Sequence, residues 1–462
     1  MMECKRDNSV RTEPRLIIHG GAGNISRATM TPERYRAYRS ALTEIISRSR
    51  SYMMTEIAAK NGNSRRPSAL ESATFAVVLF EDNSLFNSGH GAVFTRDGIN
   101  ELEASVMVSR GRAKRGVGVM GLRRVKNPIL LARRMLEHGD VDLGGRDASV
   151  PSLGNSSRSH GSIDAPSAQG HTQIYGATAE ALAERYGLPL VEPSYFFTQT
   201  RWDEHVRALE REKEQQKALK AGCVSAATAS WSADEYLPQG TCGAVALDED
   251  GVVCCATTTG GLTNKLTGRV GDTPVVGAGS WAETWSEAGD PTAAATARPI
   301  VELSGALRSL LADCLPIPMP ISFQYSSLAR SSSSTAAAVS TTTRSLALSG
   351  TGNGDSFLRV SAAHTVAAMA RFRPVSSAEA LSAVAGPGGL LQESAGDRWG
   401  RTGEGEGGLI GIESVVVRDK RDGAVLEVRS SIIQDCNCGG MFRAWIDDDG
   451  QTQVRVFRDE MQ

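Results

Sequence analysis

A mixed α+β fold is what this sequence predicts, on three observations. Short apolar runs of strand length alternate with longer segments of helical periodicity, several of the helical segments carry recognisable start signals, and the succession as a whole is strand-rich with helices interleaved. Taken in order, RLIIHGGAGN (15–24) is a buried strand ending in glycines. Thr31-Pro32-Glu33 then supplies an N-cap and a proline at the first helical position. Ser68 and Glu71 stand at capping-box spacing and open a second helix that stops near Asn83. FNSGHGAVFT (86–95) and ELEASVMV (101–108) read as a hairpin and GVGVMGL (116–122) as a further strand, after which Asn127-Pro128 opens the helix PILLARRMLEHG. Residues 203–220 read as a charged, solvent-facing linker helix. It leads to LPQGTCGAVALDEDG (237–251), a flexible lead-in that runs into a strand, and to the return strand VVCCATTT (252–259).

Three stretches break the regularity, at 50–67, 140–170 and 283–343. The second and third are rich in Gly, Ser, Asp, Pro, Thr or Ala and poor in apolar residues, so they read as solvated loops. Within the third, 300–315 has the spacing of a short docked helix, whereas 325–343 lacks apolar anchors.

Bulk composition narrows the function classes. The chain of 462 residues is 40% hydrophobic, enough for one large core or two ordinary ones, and a net charge of −2 carries no nucleic-acid or polyanion signature. The polar opening MMECKRDNSVRTEPR lacks the apolar centre of a signal peptide, and no later run approaches the length of a membrane span, so a cytoplasmic protein is expected. Eight cysteines, at 4, 223, 242, 254, 255, 314, 436 and 438, show no CxxC spacing and read as buried reduced thiols. Cys436 and Cys438 would share one face of a strand.

The dipeptide Gly240-Thr241 at the join of lead-in and strand raises a chemical question. A threonine hydroxyl is a poor nucleophile without a base, and one solution is the α-amine of the same residue, once that residue becomes a chain terminus. An α-amine has a reference pKa of about 7.7–8, so a useful fraction is free base at neutral pH. A preceding glycine permits the strained backbone in which the Thr241 hydroxyl could attack the Gly240 carbonyl.

The longer segment GTCGAVALDEDGVVCCATTTGGLTNKLTGRVGDTPVVGAGSWA (240–282) resembles the start of the mature small subunit of the plant-type asparaginases, or isoaspartyl peptidases. The resemblance continues, in order along the chain, in IIHGGAG (17–23), LFNSGHGAVFTRDGINELEASVM (85–107), NPILLARRMLEHG (127–139), GLPLVEPSYFFTQTRW (187–202), SGTGNGDSFLR (349–359), GGLIGI (407–412) and GGMFRAW (439–445). It implies a four-layer αββα sandwich of the N-terminal-nucleophile hydrolase type. It also implies self-cleavage into residues 1–240, with insertions near 50–67 and 140–170, and residues 241–462, with an insertion near 283–343.

By that resemblance Thr241 is nucleophile and base, and Thr259, eighteen positions on, bonds near its hydroxyl. Arg269 and Asp272 bind the α-carboxylate and α-ammonium of an aspartyl-type substrate, by the bidentate fork and counter-charge that a zwitterionic head group needs. Thr351 and the Gly352 N–H form the oxyanion hole, Gly354 lies in the same glycine-rich turn beside substrate, and Asn87 adds a polar contact to Thr241. A loop of roughly Phe80 to His90 wraps a structural sodium ion with backbone carbonyls; no other cofactor is implied. The implied substrates are L-asparagine and β-aspartyl dipeptides, and the implied assembly is a dimer of cleaved α/β protomers, with neither nucleic acid nor membrane as partner.

Three departures stand out: Cys242 where an aliphatic residue is usual, Glu103 and Val108 where aspartates are usual, and about fifty extra residues between the substrate-binding and oxyanion segments. Two other readings stay open on sequence alone. One is a glycosylasparaginase-like hydrolase, which shares GRVGD and TGNGD but is normally secreted and disulfide-bonded. The other is an unprocessed, inactive scaffold of the same fold. On composition alone, Thr259 is also an ordinary strand threonine and Arg269 with Asp272 an ordinary surface ion pair.

Overall fold

Strand β1 (Arg15–Gly23) opens a computed structural model that describes residues 11–58, 64–143, 167–220, 240–288 and 340–458. Helix α1 (Pro32–Met54) follows, capped by Thr31, whose side chain accepts from the Arg34 N–H. After a small hairpin of β2 (Ile57–Ala58) and β3 (Ser64–Arg65), helix α2 (Ala69–Glu81) starts with the capping box of Ser68 and Glu71, both halves of which are formed. Then come β4 (Leu102–Val108), β5 (Gly116–Leu122), α3 (Pro128–Asp142), β6 (Gln173–Tyr175), α4 (Gly176–Arg185) and α5 (Gln199–Lys220). Beyond residue 240 the order is β7 (Cys242–Leu247), β8 (Val253–Thr259), β9 (Ser280–Ala288) and β10 (Ser340–Gly352). Helices α6 (Gly354–Val360), α7 (Ala362–Phe372), α8 (Ser377–Ala385) and α9 (Leu390–Ala395) come next, then β11 (Gly407–Asp419), β12 (Val425–Cys436), β13 (Gly440–Ile446) and β14 (Thr452–Phe457).

The strands form an eight-stranded sheet, ordered β14-β13-β1-β7-β8-β4-β5-β6, and a four-stranded sheet, ordered β12-β11-β10-β9. Three apolar clusters organise them. One packs Leu42, Ile46, Val77, Leu131 and Leu136 of helices α1 to α3 against Leu16, Ile18, Ala104 and Ala244 of the eight-stranded sheet. A second packs Val366, Leu381 and Leu391 of the C-terminal helices against Leu346, Leu348 and Leu409 of the four-stranded sheet. The third joins the sheets through Ile17, Val245, Cys255, Ala347, Ile410 and Ile412. Alternation does the sorting, since Leu16 and Ile18 face the helices while Ile17 between them faces the other sheet.

Several sequence expectations are corrected. Residues 86–95 form no strand: the chain coils through a single 3₁₀ turn at Gly89–Gly91, and the hairpin is made by β4 with β5. The cause is local, because a Cβ at Gly91 would stand 2.1 Å from the Phe86 carbonyl oxygen, a closeness that extended backbone never reaches. The stretch 50–67 is regular at its start, where α1 runs to Met54, and the stretch 283–343 is regular at both ends, in β9 and β10. The expected helix at 300–315, most of 325–343 and residues 144–166 lie outside the described residues. Helix α5 is not wholly solvent-facing, since His205 is buried. Cys438 lies in the bend after β12 rather than on a strand. No described helix is long and apolar enough to cross a membrane.

Candidate active site

Thr241 lies immediately before β7, between β1 and β8 in the middle of the large sheet, and is buried. Cys242 pairs with Thr258, so the register carried one residue further sets Thr241 opposite Thr259. Yet the Thr259 hydroxyl accepts from the Gly261 N–H at 3.0 Å, and the Thr241 hydroxyl is 3.2 Å from that of Thr273. The side chain within hydrogen-bond distance of the Thr241 hydroxyl is that of Thr273, which sequence reasoning passed over although it directly follows Asp272.

The Thr241 carbonyl is held by His19, whose Nδ1 stands 3.0 Å from it. A carbonyl only accepts, so Nδ1 carries the proton and Nε2 accepts from the Ser349 hydroxyl at 2.7 Å; Ser349 in turn lies 2.9 Å from the Thr257 hydroxyl. Complete burial pushes the imidazole down to about 3, the bond to Thr241 opposing only in part, so it is neutral at physiological pH. Gly243 makes room for this chain, because a Cβ there would lie 2.3 Å from Ser349 Oγ and 2.4 Å from His19 Nε2.

Gly240 is wedged: a Cβ there would stand 2.3 Å from the Gly21 Cα and 2.6 Å from both the Ala22 nitrogen and Thr351 Oγ1. The Thr351 hydroxyl is therefore beside the Gly240–Thr241 peptide, and it is buried without a hydrogen-bond partner. Gly352, at φ +144, turns the chain out of β10, in a conformation that L side chains rarely adopt. Its place is fixed from behind by the pairing of Gly352 with Gly407 and by the Asn353 N–H, which donates to the Glu406 carbonyl at 2.8 Å.

Arg269 and Asp272 converge on Gly354, where a Cβ would lie 2.6 Å from Asp272 Oδ1 and 3.2 Å from Arg269 Nη2. Burial pushes the Asp272 carboxyl up to about 7, with Arg269 opposing in part. Asp272 Oδ2 and Arg269 Nη2 are both buried without a hydrogen-bond partner. Asp355 comes within 3.2 Å of Arg269 Nη2, an ion-pair distance without hydrogen-bond alignment, and its own side chain is 58% exposed. The loop is braced by Glu103, one of the departures noted above: its carboxylate accepts from the Gly271 N–H at 3.1 Å and pairs with buried Lys265 at 3.4 Å.

Asn87 acts on the loop behind Thr259, donating to the Gly261 carbonyl at 2.7 Å and accepting from the Val93 N–H at 3.1 Å. Among the described residues no group of three or more His, Cys, Asp or Glu side chains is arranged to hold a metal ion. In the 80–90 loop a Cβ at Gly89 would lie 2.2 Å from the Glu81 carbonyl oxygen, and one at Gly91 2.7 Å from the Ser84 carbonyl oxygen, so the turn closes tightly on its own backbone.

The described geometry thus gathers Thr241, Thr259, Arg269, Asp272, Thr351, Gly352 and Gly354 at one end of β7. The family model described as asparaginase matches residues 12–150 and 165–294 of this chain, more than half of it. The chain belongs to the asparaginase family. Among its relatives in that family is an isoaspartyl peptidase of Escherichia coli K12, 35% identical over 273 residues, which cover 59% of this chain and 69% of the relative. A plant-type L-asparaginase of Pyrococcus furiosus is 30% identical over 274 residues, 58% of this chain and 70% of the relative. An isoaspartyl peptidase/L-asparaginase of Xenopus laevis is 29% identical over 271 residues, 59% of this chain and 67% of the relative. The asparaginase match spans both sides of Gly240–Thr241 and includes Arg269 and Asp272, whereas the part of the chain that contributes Thr351 lies beyond it.

Proposed function

We propose that this asparaginase-family chain cuts itself between Gly240 and Thr241 and then hydrolyses L-asparagine and β-aspartyl dipeptides. One observation carries the reading. A guanidinium nitrogen of Arg269 and a carboxylate oxygen of Asp272, both beside Gly354, and the hydroxyl of Thr351, beside Gly240, are all buried without a hydrogen-bond partner. An unpaired buried polar group costs about 1–3 kcal/mol, so three in one place mark where a ligand supplies the partners. An α-carboxylate on Arg269 and an α-ammonium on Asp272 leave the side-chain amide directed at Thr241.

Maturation begins with attack of the Thr241 hydroxyl on the Gly240 carbonyl carbon. The peptide C–N bond breaks to leave an ester on Thr241 Oγ and a free α-amine, and water hydrolyses the ester. In turnover that amine takes the proton as Oγ attacks the amide carbon. Thr351 and the Gly352 N–H stabilise the oxyanion. The C–N bond then breaks, ammonia or the α-amine of the second residue leaves with the proton, and water releases aspartate from the acyl-enzyme.

The same reading makes the two sheets with their outer helices a four-layer αββα sandwich. Three apolar clusters, one between the sheets and one under each helical layer, support it. It gives the 80–90 carbonyls a sodium ion, which would stiffen the turn carrying Asn87. It also makes the mature enzyme a dimer of cleaved protomers in the cytoplasm, where the five described cysteines, all free and buried, would persist reduced. Mass spectrometry of denatured, purified protein tests the core of this. Two chains beginning at Met1 and Thr241, with asparagine hydrolysis, are expected; active protein with any other new N-terminus would refute it.

A further inference from the structure

The bend after β12 holds a pair of thiols that the hydrolytic chemistry does not use. Cys436 ends β12 and is fully buried, and Cys438, two residues on and 6% exposed, points its thiol to the Gly440 carbonyl at 3.4 Å and the Gly407 carbonyl at 3.8 Å. Beside them stands Arg443, whose side chain is fully buried and whose Nη1 lies 3.8 Å from Cys436 Sγ. The Nε and Nη2 of Arg443 have no hydrogen-bond partner, and among the described residues no carboxylate lies within ion-pair distance of it. A buried guanidinium needs an anion, and among the described residues the ionisable group within reach of it is the Cys436 thiol. The neighbouring Cys438 thiol and the Arg443 charge, acting against burial and Asp435, bring the Cys436 thiol down to about 7. Cys438 is pushed the other way, by the neighbouring Cys436 thiol, by burial and by Glu406. Burial likewise raises the thiols of Cys242, Cys254 and Cys255, so Cys436 is set apart from them.

The residue between the two thiols is wired to the oxyanion segment. Asn437 accepts from the Gly407 N–H through Oδ1 at 2.9 Å, donates from Nδ2 to the Gly405 carbonyl at 2.8 Å, and its own N–H donates to the Gly407 carbonyl at 3.1 Å. Gly407 pairs with Gly352, and a Cβ on Gly352 would lie 2.4 Å from the Gly407 Cα. A change of shape at 436–438 therefore reaches Gly352 through a single intervening segment.

We propose that Cys436 and Cys438 are an oxidisable dithiol, that a small hydroperoxide converts them to a disulfide, and that the closed form displaces residues 405–407 and slows hydrolysis at Thr241. The Cys436 thiolate attacks the peroxide oxygen, the O–O bond breaks, and hydroxide or alkoxide leaves as Cys436 becomes a sulfenic acid. Cys438 then displaces the sulfenic hydroxyl, giving the S–S bond and water, and its proton neutralises the displaced base. Two thiols lose two electrons and the peroxide gains them. The bend suits closure, because in an extended strand residues two apart are separated by about 6.6–7 Å, near the upper limit for bridged Cα atoms. Burial selects for an oxidant as small as hydrogen peroxide over bulky alkylating reagents.

The test treats cleaved, full-length enzyme with hydrogen peroxide, alkylates remaining thiols after denaturation, and reads both the peptide containing 436–438 and asparagine hydrolysis. The peptide is expected to lose two hydrogens and escape alkylation, with turnover falling several-fold and both changes reversed by dithiothreitol. Cys438→Ser is expected to keep basal turnover, form no disulfide and yield a dimedone adduct at Cys436. Cys436→Ser is expected to resist inactivation. Full alkylation of both thiols after peroxide overturns the dithiol, and equal inactivation of Cys436→Ser, or a disulfide without loss of turnover, overturns the link to Gly352. The effect on rate rests on the hydrolase reading, but the mass change is readable without any turnover, so the two can fail separately.

Discussion

Strand β7 has a cluster of charged side chains at each end, and the two are finished in opposite ways. Beyond Leu247, a cleft of about 580 Å³ is lined by Arg65, Arg112, Arg133 and Arg134 with Glu71, Glu137 and Asp248. Nearly every charge there is answered from within. Arg65 forks onto Glu71 at 2.6 and 2.9 Å, Arg133 reaches Glu137 at 2.8 Å and Arg112 reaches Asp140 at 2.7 Å. Asp248 accepts from the N–H groups of Ala69 and Val252, both at 2.9 Å. At the Thr241 end Nη2 of Arg269, Oδ2 of Asp272 and the hydroxyl of Thr351 are left without a hydrogen-bond partner. A cleft marks the first cluster, and unmet hydrogen bonding marks the second. The contrast teaches that a satisfied cluster is part of the scaffold, while an unsatisfied one has a partner still to come.

The largest expected break in this contrast is Thr241→Ala. It removes the nucleophile from the open end, and it should leave a single uncut chain with no measurable asparagine hydrolysis, checked by denaturing gel and ammonia release. Next comes Arg269→Lys, which keeps the charge but loses the planar fork. Charge-assisted bonds of this kind contribute about 1.5–3 kcal/mol, so kcat/KM should fall about tenfold to a hundredfold while cleavage at Thr241 proceeds. Unchanged handling of asparagine by that variant would place the carboxylate clamp elsewhere.

A pH profile sharpens the same comparison with a smaller effect. The Asp272 carboxyl, raised to about 7 by burial, is neutral in the free enzyme below that pH and must ionise to hold an ammonium group. KM for asparagine should therefore fall as pH rises through about 7, and Asp272→Asn should flatten that dependence at a higher KM. At the satisfied end the sign is opposite. Burial would raise Glu71, but the bonds from Arg65 and Ser68 outweigh it and bring the carboxyl down to about 2. Its contribution is present above the unfolded value of 4.5 and lost as pH falls toward 2. Glu71→Gln should cost about 1 kcal/mol of stability at neutral pH, since Arg65 is largely solvent-screened, and leave kcat/KM untouched. Melting and steady-state kinetics on one sample would check both halves.

What the sequence disclosed tracks how local the cause is. The Ser68–Glu71 box and the Thr31 cap each act within four residues, and both stand where the sequence places them. Residues 86–95 carried strand-like composition, but Gly89 and Gly91 are shaped by the carbonyls of Glu81, Ser84 and Phe86, which no alternation pattern reports. At the site, Thr241, Arg269 and Asp272 sit in one contiguous segment and were legible through its resemblance to known proteins. The roles of His19 and Ser349 are not legible in their motifs, because the chain from the Thr241 carbonyl to Thr257 draws on β1, β8 and β10, far apart in sequence. Thr273 was hidden by the expectation that Thr259 would fill its place.

The strand order of the large sheet has a consequence for the life of the cut protein. Strands from before and after residue 240 interleave, with β1 between β13 and β7, and β8 beside β4. Three hydrogen-bonded seams, β13 with β1, β1 with β7 and β8 with β4, thus join the two fragments. The intact chain closes these seams by an intramolecular search, but the severed pieces must find each other in solution. With the cut proposed at Gly240–Thr241, folding that is first-order before it would become second-order after it, so residues 1–240 would serve the rest as an intramolecular chaperone a single time. Heat-denatured mature enzyme should regain activity with a yield that rises with protein concentration, whereas uncut Thr241→Ala should refold at a concentration-independent rate. Once cut, the molecule would endure by the slowness of its unfolding rather than by any ready return from the unfolded state.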